Sequence, residues 1–157
     1  MIYISHRGNL NGIDSKRENS PQYVDECLAL GFDCEIDLRL KDGVPHLGHD
    51  TPDHPIDASW ILDRSHMLWI HVKEYGALIW LLENCPESTY FCHESDRYTL
   101  VSNGMIWSHD LTNSMRECCI VPLLSKESVD SYGHTGFGAV CSDFIYDCVR
   151  KFGENKS

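Results

Sequence analysis

Positive charge is scarce in this chain. Thirteen Lys and Arg stand against 24 Asp and Glu, a formal net charge of −11 with neutral histidine. Such a surface repels nucleic-acid backbone and anionic lipid at long range, so general nucleic-acid binding is disfavoured. Long apolar runs are missing too. The longest, Ala77-Leu78-Ile79-Trp80-Leu81-Leu82, is far short of the ~20 residues of a membrane span, so stable membrane insertion is not expected. None of the eight cysteines forms a Cys-x-x-Cys, which removes the usual support for a thiolate zinc site. The glycine-rich segment 133–138 has no following Gly-Lys-Ser/Thr and reads as a loop, not a nucleotide cradle. No linker, repeat or low-complexity tract divides the chain. With 157 residues and 42% hydrophobic content, a single domain over 1–157 is expected. The opening residues Met1–His6 carry no basic stretch followed by an apolar core. A cytoplasmic location with reduced thiols is the expectation that follows.

What is present is a run of short periodic segments. Ile2–Ser5 reads as a buried strand. Ser20-Pro21 marks a helix start and Gly31 its end, with Tyr23, Val24, Cys27, Leu28 and Leu30 at helical spacing. Phe32–Leu40 alternates, with Cys34, Ile36 and Leu38 on one face and Glu35, Asp37 and Arg39 on the other. Lys41-Asp42-Gly43 turns the chain into a short strand over Val44–Gly48. Helices are predicted over 57–63, 74–84 and 143–151, and strands over 67–72, 89–93, 105–108, 119–122 and 139–141. Alternation of strand and helix implies an α/β fold with a mostly parallel sheet. The second half leaves little room for helices between its strands.

Residues able to do chemistry collect at the C-terminal ends of the predicted strands. Glu35 and Asp37, two apart on one strand, point to the same face, and paired carboxylates repel unless a cation sits between them. Histidine is the side chain suited to proton transfer near neutral pH, which makes His6 and His49 candidates for that role. Arg7 offers planar bidentate donors for a phosphate, and Lys73 a point charge. Taken singly, each has a plainer explanation: a solvent-facing strand edge, a structural histidine, a solvated cation. His93-Glu94 and Ser108-His109-Asp110 also follow predicted strands and are either site residues or polar strand ends. Trp107 reads as core, with a place in the pocket wall as the alternative.

The series His6-Arg7-Gly8, Glu18-Asn19-Ser20, Glu35-Ile36-Asp37, Lys41-Asp42-Gly43 and Gly48-His49-Asp50 resembles, in order and spacing, the signature of the glycerophosphodiester phosphodiesterase family. The resemblance covers roughly the first fifty residues. Val72-Lys73 and Cys141-Ser142-Asp143 are thinner matches, and residues 89–135 hold none. The resemblance implies a compact, trimmed TIM-like (β/α) barrel, its helices reduced in the second half. It implies a metal-assisted phosphodiesterase that splits a small glycerophosphodiester into an alcohol and a phosphomonoester. His6 and His49 would then be the acid/base pair, Arg7 and Lys73 the phosphate ligands, and Glu35 and Asp37 the metal ligands. Glu18 would lie at the rim, holding the first loop or reaching the metal; His93 and Trp107, outside the resemblance, are the other rim candidates.

One position departs from the family pattern. Where a third metal carboxylate is expected, this chain has His71, which would touch the metal, contact the substrate or play a structural part. The resemblance implies one divalent cation, Mg²⁺ or Ca²⁺, whereas an imidazole ligand favours Mn²⁺ or Zn²⁺. Two other functions remain open from the sequence: a phospholipase D-like lyase that releases a cyclic phosphate, and a non-catalytic barrel that binds a phosphate-bearing metabolite.

Overall fold

The computed structural model describes residues 1–113 and 116–153. In chain order the elements are β1 (Ile2–His6), α1 (Pro21–Ala29), β2 (Asp33–Lys41), β3 (Val44–Leu47) and β4 (His54–Pro55). Then come α2 (Ala58–Arg64), β5 (Leu68–Val72), α3 (Tyr75–Asn84), β6 (Tyr90–Phe91) and β7 (Tyr98–Leu100). The chain finishes with β8 (Ile106–Ser108), β9 (Cys119–Pro122), α4 (Lys126–Ser131), β10 (Ala139–Ser142) and α5 (Ile145–Gly153). Local chemistry accounts for the helix starts. The Ser20 hydroxyl accepts from the Tyr23 N–H and Pro21 opens α1, while Asp57 accepts from the Trp60 N–H at α2.

All ten strands join one mixed, strongly curled sheet. Its centre is parallel: β2 pairs with β1 and β5, β1 with β10, β10 with β9, and β9 with β8. Antiparallel hairpin partners extend it, β3 and β4 beyond β2 and β7 beyond β8.

This architecture corrects the expected TIM-like barrel. Helices do not alternate with strands: among the described residues none follows β6, β7 or β8, and no ladder joins β6 to β7 or β8. The sheet is a half-barrel whose open edges are linked near Tyr90, whose carbonyl accepts from the Ser102 N–H at 2.9 Å. The reason is chain length. A parallel crossover needs a dozen or more residues, usually a helix. Residues 92–105 are spent on a loop and β7, and the described residues between β8 and β9 hold no helix.

Period-two alternation sorts side chains to the two faces of the curl. Cys34, Ile36 and Leu38 of β2 join Leu68, Ile70 and Val72 of β5 on the convex side, beneath Val24 and Cys27 of α1, Ile61 of α2 and Ala77 and Leu81 of α3. A second outer cluster packs Val121 and Val140 against Val129, Cys148 and Phe152. Ile4, Trp69, Phe91, Trp107, Ile120, Ala139 and Cys141 fill the concave side. The concave positions next toward the C-terminal strand ends are His6, Glu35, Asp37 and His71. All eight cysteines are free thiols. No helix among the described residues is long and apolar enough to cross a membrane.

Candidate functional site

Parallel register assembles the site. His6 lies opposite Glu35 across β1 and β2, and Asp37 opposite His71 across β2 and β5. Ligand atoms of Glu35, Asp37 and His71 all lie within 4.8 Å of one another, and the three residues are buried. They form a group that could hold a metal ion. Its chemistry fits one. Glu35 is 2% exposed and Asp37 wholly buried, yet Glu35 Oε2 and Asp37 Oδ1 have no well-formed hydrogen bond. Buried carboxylate oxygens without hydrogen bonds are costly unless a cation compensates them, as Lys73 does at 3.5 Å from Asp37 Oδ1.

Asp37 is the hub. Arg7 Nε stands 2.9 Å from Oδ2, His71 Nδ1 3.2 Å and Lys73 Nζ 3.5 Å from Oδ1. Asn19 clasps the same residue twice, donating Nδ2–H to Oδ2 at 2.9 Å and accepting the Asp37 N–H on its own Oδ1 at 2.9 Å. Burial pushes the Asp37 carboxyl upward, but His71, Arg7, Asn19 and Lys73 together hold it well below the usual carboxylate range. Glu35 moves the other way, raised by burial and by the charge of Asp37. Two carboxylates on one strand face are thus driven to opposite protonation behaviour.

The loop after β1 is shaped for this. Arg7 has φ 58° and Asn19 φ 60°, and the Asn19 N–H donates to the Arg7 carbonyl at 3.1 Å. Asn tolerates that conformation; for Arg it is strain of the kind that clusters at functional sites. Asn9 Nδ2 reaches Glu18 Oε1 at 2.6 Å and Asp143 Oδ1 at 2.7 Å. Asp143 Oδ1 also lies 2.8 Å from His6 Nδ1. A carboxylate accepts, so His6 carries its proton on Nδ1 and turns Nε2 inward, 3.9 Å from Glu35 Oε2. Burial lowers the His6 pKa, but the Asp143 hydrogen bond and the Glu35 charge outweigh it and leave it raised.

His49 sits at the solvent side, its side chain 40% exposed and Nδ1 2.8 Å from Asp50 Oδ1. Its loop is pinned by Arg39, whose Nε donates to the Gly48 and His49 carbonyls at 3.1 and 3.0 Å. A Cβ on Gly48, where φ is 151°, would stand 2.0 Å from the Thr51 carbonyl oxygen, so only glycine fits.

These residues open into one cleft of ≈ 410 Å³. His6, Arg7, Glu35, His49, His71 and Lys73 line its polar side, and Phe91, Trp107, Pro122 and Leu124 its apolar side. His93, Glu94 and His109 also line it, whereas Glu18 stands behind Arg7 with Nη1 at 3.7 Å. The rings of Trp107, Phe91, His71, His93 and His109 form a contiguous cluster with neighbouring centroids 4.4 to 4.9 Å apart, and Phe91 and His93 lie 6.0 Å from each other. Burial and the neighbouring His71 and His109 push the His93 pKa down to about 4.

Every site residue expected from sequence except Glu18 and Asp37 lines this cleft, and those two hold cleft residues from behind. Asn9, Asn19 and Asp143 are the functional partners that residue patterns missed. Asn19 belongs to the Glu18-Asn19-Ser20 triplet, but its clasp on Asp37 depends on a positive φ. Asn9 carries no motif at all. Comparison of the chain with protein-family models, curated proteins and solved structures finds no match.

Proposed function

We propose that this chain is a metal-dependent phosphodiesterase that hydrolyses a small glycerophosphodiester-type substrate to an alcohol and a phosphomonoester. One observation carries the proposal: a buried Glu35–Asp37–His71 group, in which Glu35 Oε2 has no hydrogen-bond partner, sits beside two histidines and two cations in a single cleft. The series of sequence motifs shared with glycerophosphodiester phosphodiesterases supports the choice of substrate.

Glu35, Asp37 and His71 would hold the cation. When bound, a divalent ion neutralises a phosphoryl oxygen and acidifies an attacking hydroxyl or water. Arg7 and Lys73 orient the phosphate and offset the charge that develops on it. His6 presents Nε2 to the cleft because Asp143 holds Nδ1. His49 lines the cleft from its solvent side, where it would meet a bound substrate. One of the two takes the proton of the attacking water, or of a glycerol hydroxyl that closes a cyclic phosphate which water then opens, and the other protonates the leaving alkoxide. Five deeply buried thiols, Cys27, Cys34, Cys85, Cys141 and Cys148, support placing the protein in a reducing cytoplasm.

The test is turnover of a glycerophosphodiester panel with Mg²⁺, Ca²⁺, Mn²⁺ and Zn²⁺ each added to chelator-stripped protein. His6→Ala and His49→Ala are each expected to lose about 10²-fold or more in kcat, the usual contribution of general acid/base catalysis. Near-wild-type rates in either variant sink the acid/base assignment. Phosphorus NMR identifies the product, and a persistent cyclic phosphate would make the protein a lyase. A binding-only function draws on one observation, that Arg7 and Lys73 are both already ion-paired to Asp37. Saturable phosphodiester binding without turnover under any metal would favour it.

A further inference from the structure

We infer that the cation site is built for a first-row transition metal held by His71 through Nδ1, not for Mg²⁺ or Ca²⁺. The inference rests on the metal-dependent function proposed above and specifies the ion and the binding atom.

The tautomer is the first step. His71 Nε2 lies 3.2 Å from the His93 backbone carbonyl oxygen. A carbonyl cannot donate, so Nε2 carries the hydrogen. In the neutral ring the lone pair is then on Nδ1. Nδ1 faces Asp37 Oδ1 at 3.2 Å and Glu35 Oε1 at 3.8 Å. A lone pair aimed at two buried carboxylates is repulsive unless a cation lies among them. A proton on Nδ1 would hydrogen-bond Asp37 alone, because 3.8 Å to Glu35 Oε1 is ion-pair distance but beyond hydrogen-bond reach. Asp37 already has Arg7, Lys73 and Asn19, while Glu35 Oε2 has no hydrogen-bond partner. A metal ion touching all three residues answers both deficits.

The ring is also fixed in place. Phe91 stacks on His71 at 4.9 Å with planes 9° apart, and His93 stacks on it at 4.7 Å with planes 11° apart. An imidazole whose far nitrogen donates to a carbonyl is the usual arrangement behind a metal ligand, setting tautomer and orientation together. Two carboxylates with one imidazole form a mixed oxygen and nitrogen set. Mg²⁺ and Ca²⁺ prefer all-oxygen sets, and Mn²⁺, Fe²⁺, Co²⁺ and Zn²⁺ accept imidazole readily.

Co²⁺ is the probe, since its spectrum separates nitrogen and oxygen ligands from thiolates. Chelator-stripped protein is titrated with Co²⁺, Mn²⁺, Mg²⁺ and Ca²⁺ by calorimetry, alongside His71→Glu. We expect one Co²⁺ per chain, bound at least tenfold more tightly than Mg²⁺ or Ca²⁺, with no thiolate charge-transfer band. His71→Glu should lose that preference. Pulsed EPR of the Mn²⁺-loaded wild type should show coupling to one imidazole nitrogen, a readout that does not need the variant to fold. Equal affinity for Mg²⁺ and Co²⁺, a thiolate band, or no nitrogen coupling overturns the inference while leaving a cation site in place. Failure of every cation to bind overturns both this inference and the metal-dependent function.

Discussion

At the residue scale, the site depends on groups that clasp the catalytic candidates from behind. Asn19 satisfies both the backbone N–H and one carboxylate oxygen of Asp37. Asn19→Ala leaves that buried N–H unpaired, and a loss of about 1–3 kcal/mol in stability is expected by urea unfolding. Gly48→Ala forces a Cβ onto the Thr51 carbonyl. It should cost about 1–3 kcal/mol and displace His49, with turnover falling in parallel. Gly43 is the control for turn strain without a clash, since its φ is 78° and a Cβ there would meet no heavy atom within 4 Å. His93 gives a pH signature in the metal-free protein. Its folded pKa is lowered to about 4, whereas an unfolded histidine binds its proton near 6.5. The unfolded state therefore binds more protons between those values, and stability falls as pH drops from about 6.5 to about 4. Ring NMR should find His93 neutral down to that range, and His93→Gln should remove its share of the slope.

At the element scale, short segments explain which parts are legible in the sequence. Helix α1 begins at Ser20-Pro21 as its cap chemistry predicts, and β2 alternates as predicted because one face meets the outer core and the other the site. Helix α4 has no periodicity to announce it. Its six residues hold one buried apolar position, Val129, too few to set a period. Its signal is the Ser125–Ser128 pair, which forms a capping box in the structure. Ser125→Ala should cost about 1 kcal/mol, read from the urea midpoint. Strands β4 and β7 are equally hidden, being two and three residues long and defined by pairing with β3 and β8, not by local pattern.

At the scale of the whole molecule, net charge acts on the site from a distance. A chain at −11 draws divalent cations toward it. Raising ionic strength shortens the screening length from about 30 Å at 0.01 M to about 8 Å at 0.15 M. Affinity for Mn²⁺ should weaken across that range by calorimetry, and the KM for an anionic phosphodiester should fall as long-range repulsion is screened. Salt-independent values for both would show that charges inside the cleft alone set the field. The curled sheet matters at this scale too. It closes its concave core with Phe91 and Trp107 stacked across the gap between β6 and β8, where no strand ladder runs.

The amino-acid sequence by itself determined most of the longer segments and most of the polar residues of the cleft. Strand periodicity sets which side chains share a face, and the grouping of His, Arg, Glu and Asp at strand ends marks the chemistry. It also showed the departure at His71. Only the tertiary structure decided the rest. Sheet closure depends on connection lengths and long-range pairing, so the expected barrel became an open half-barrel. The clasp of Asn19 on Asp37, the Asp143 partner of His6 and the tautomer of His71 depend on contacts between residues 18 to 137 positions apart, which no local pattern encodes.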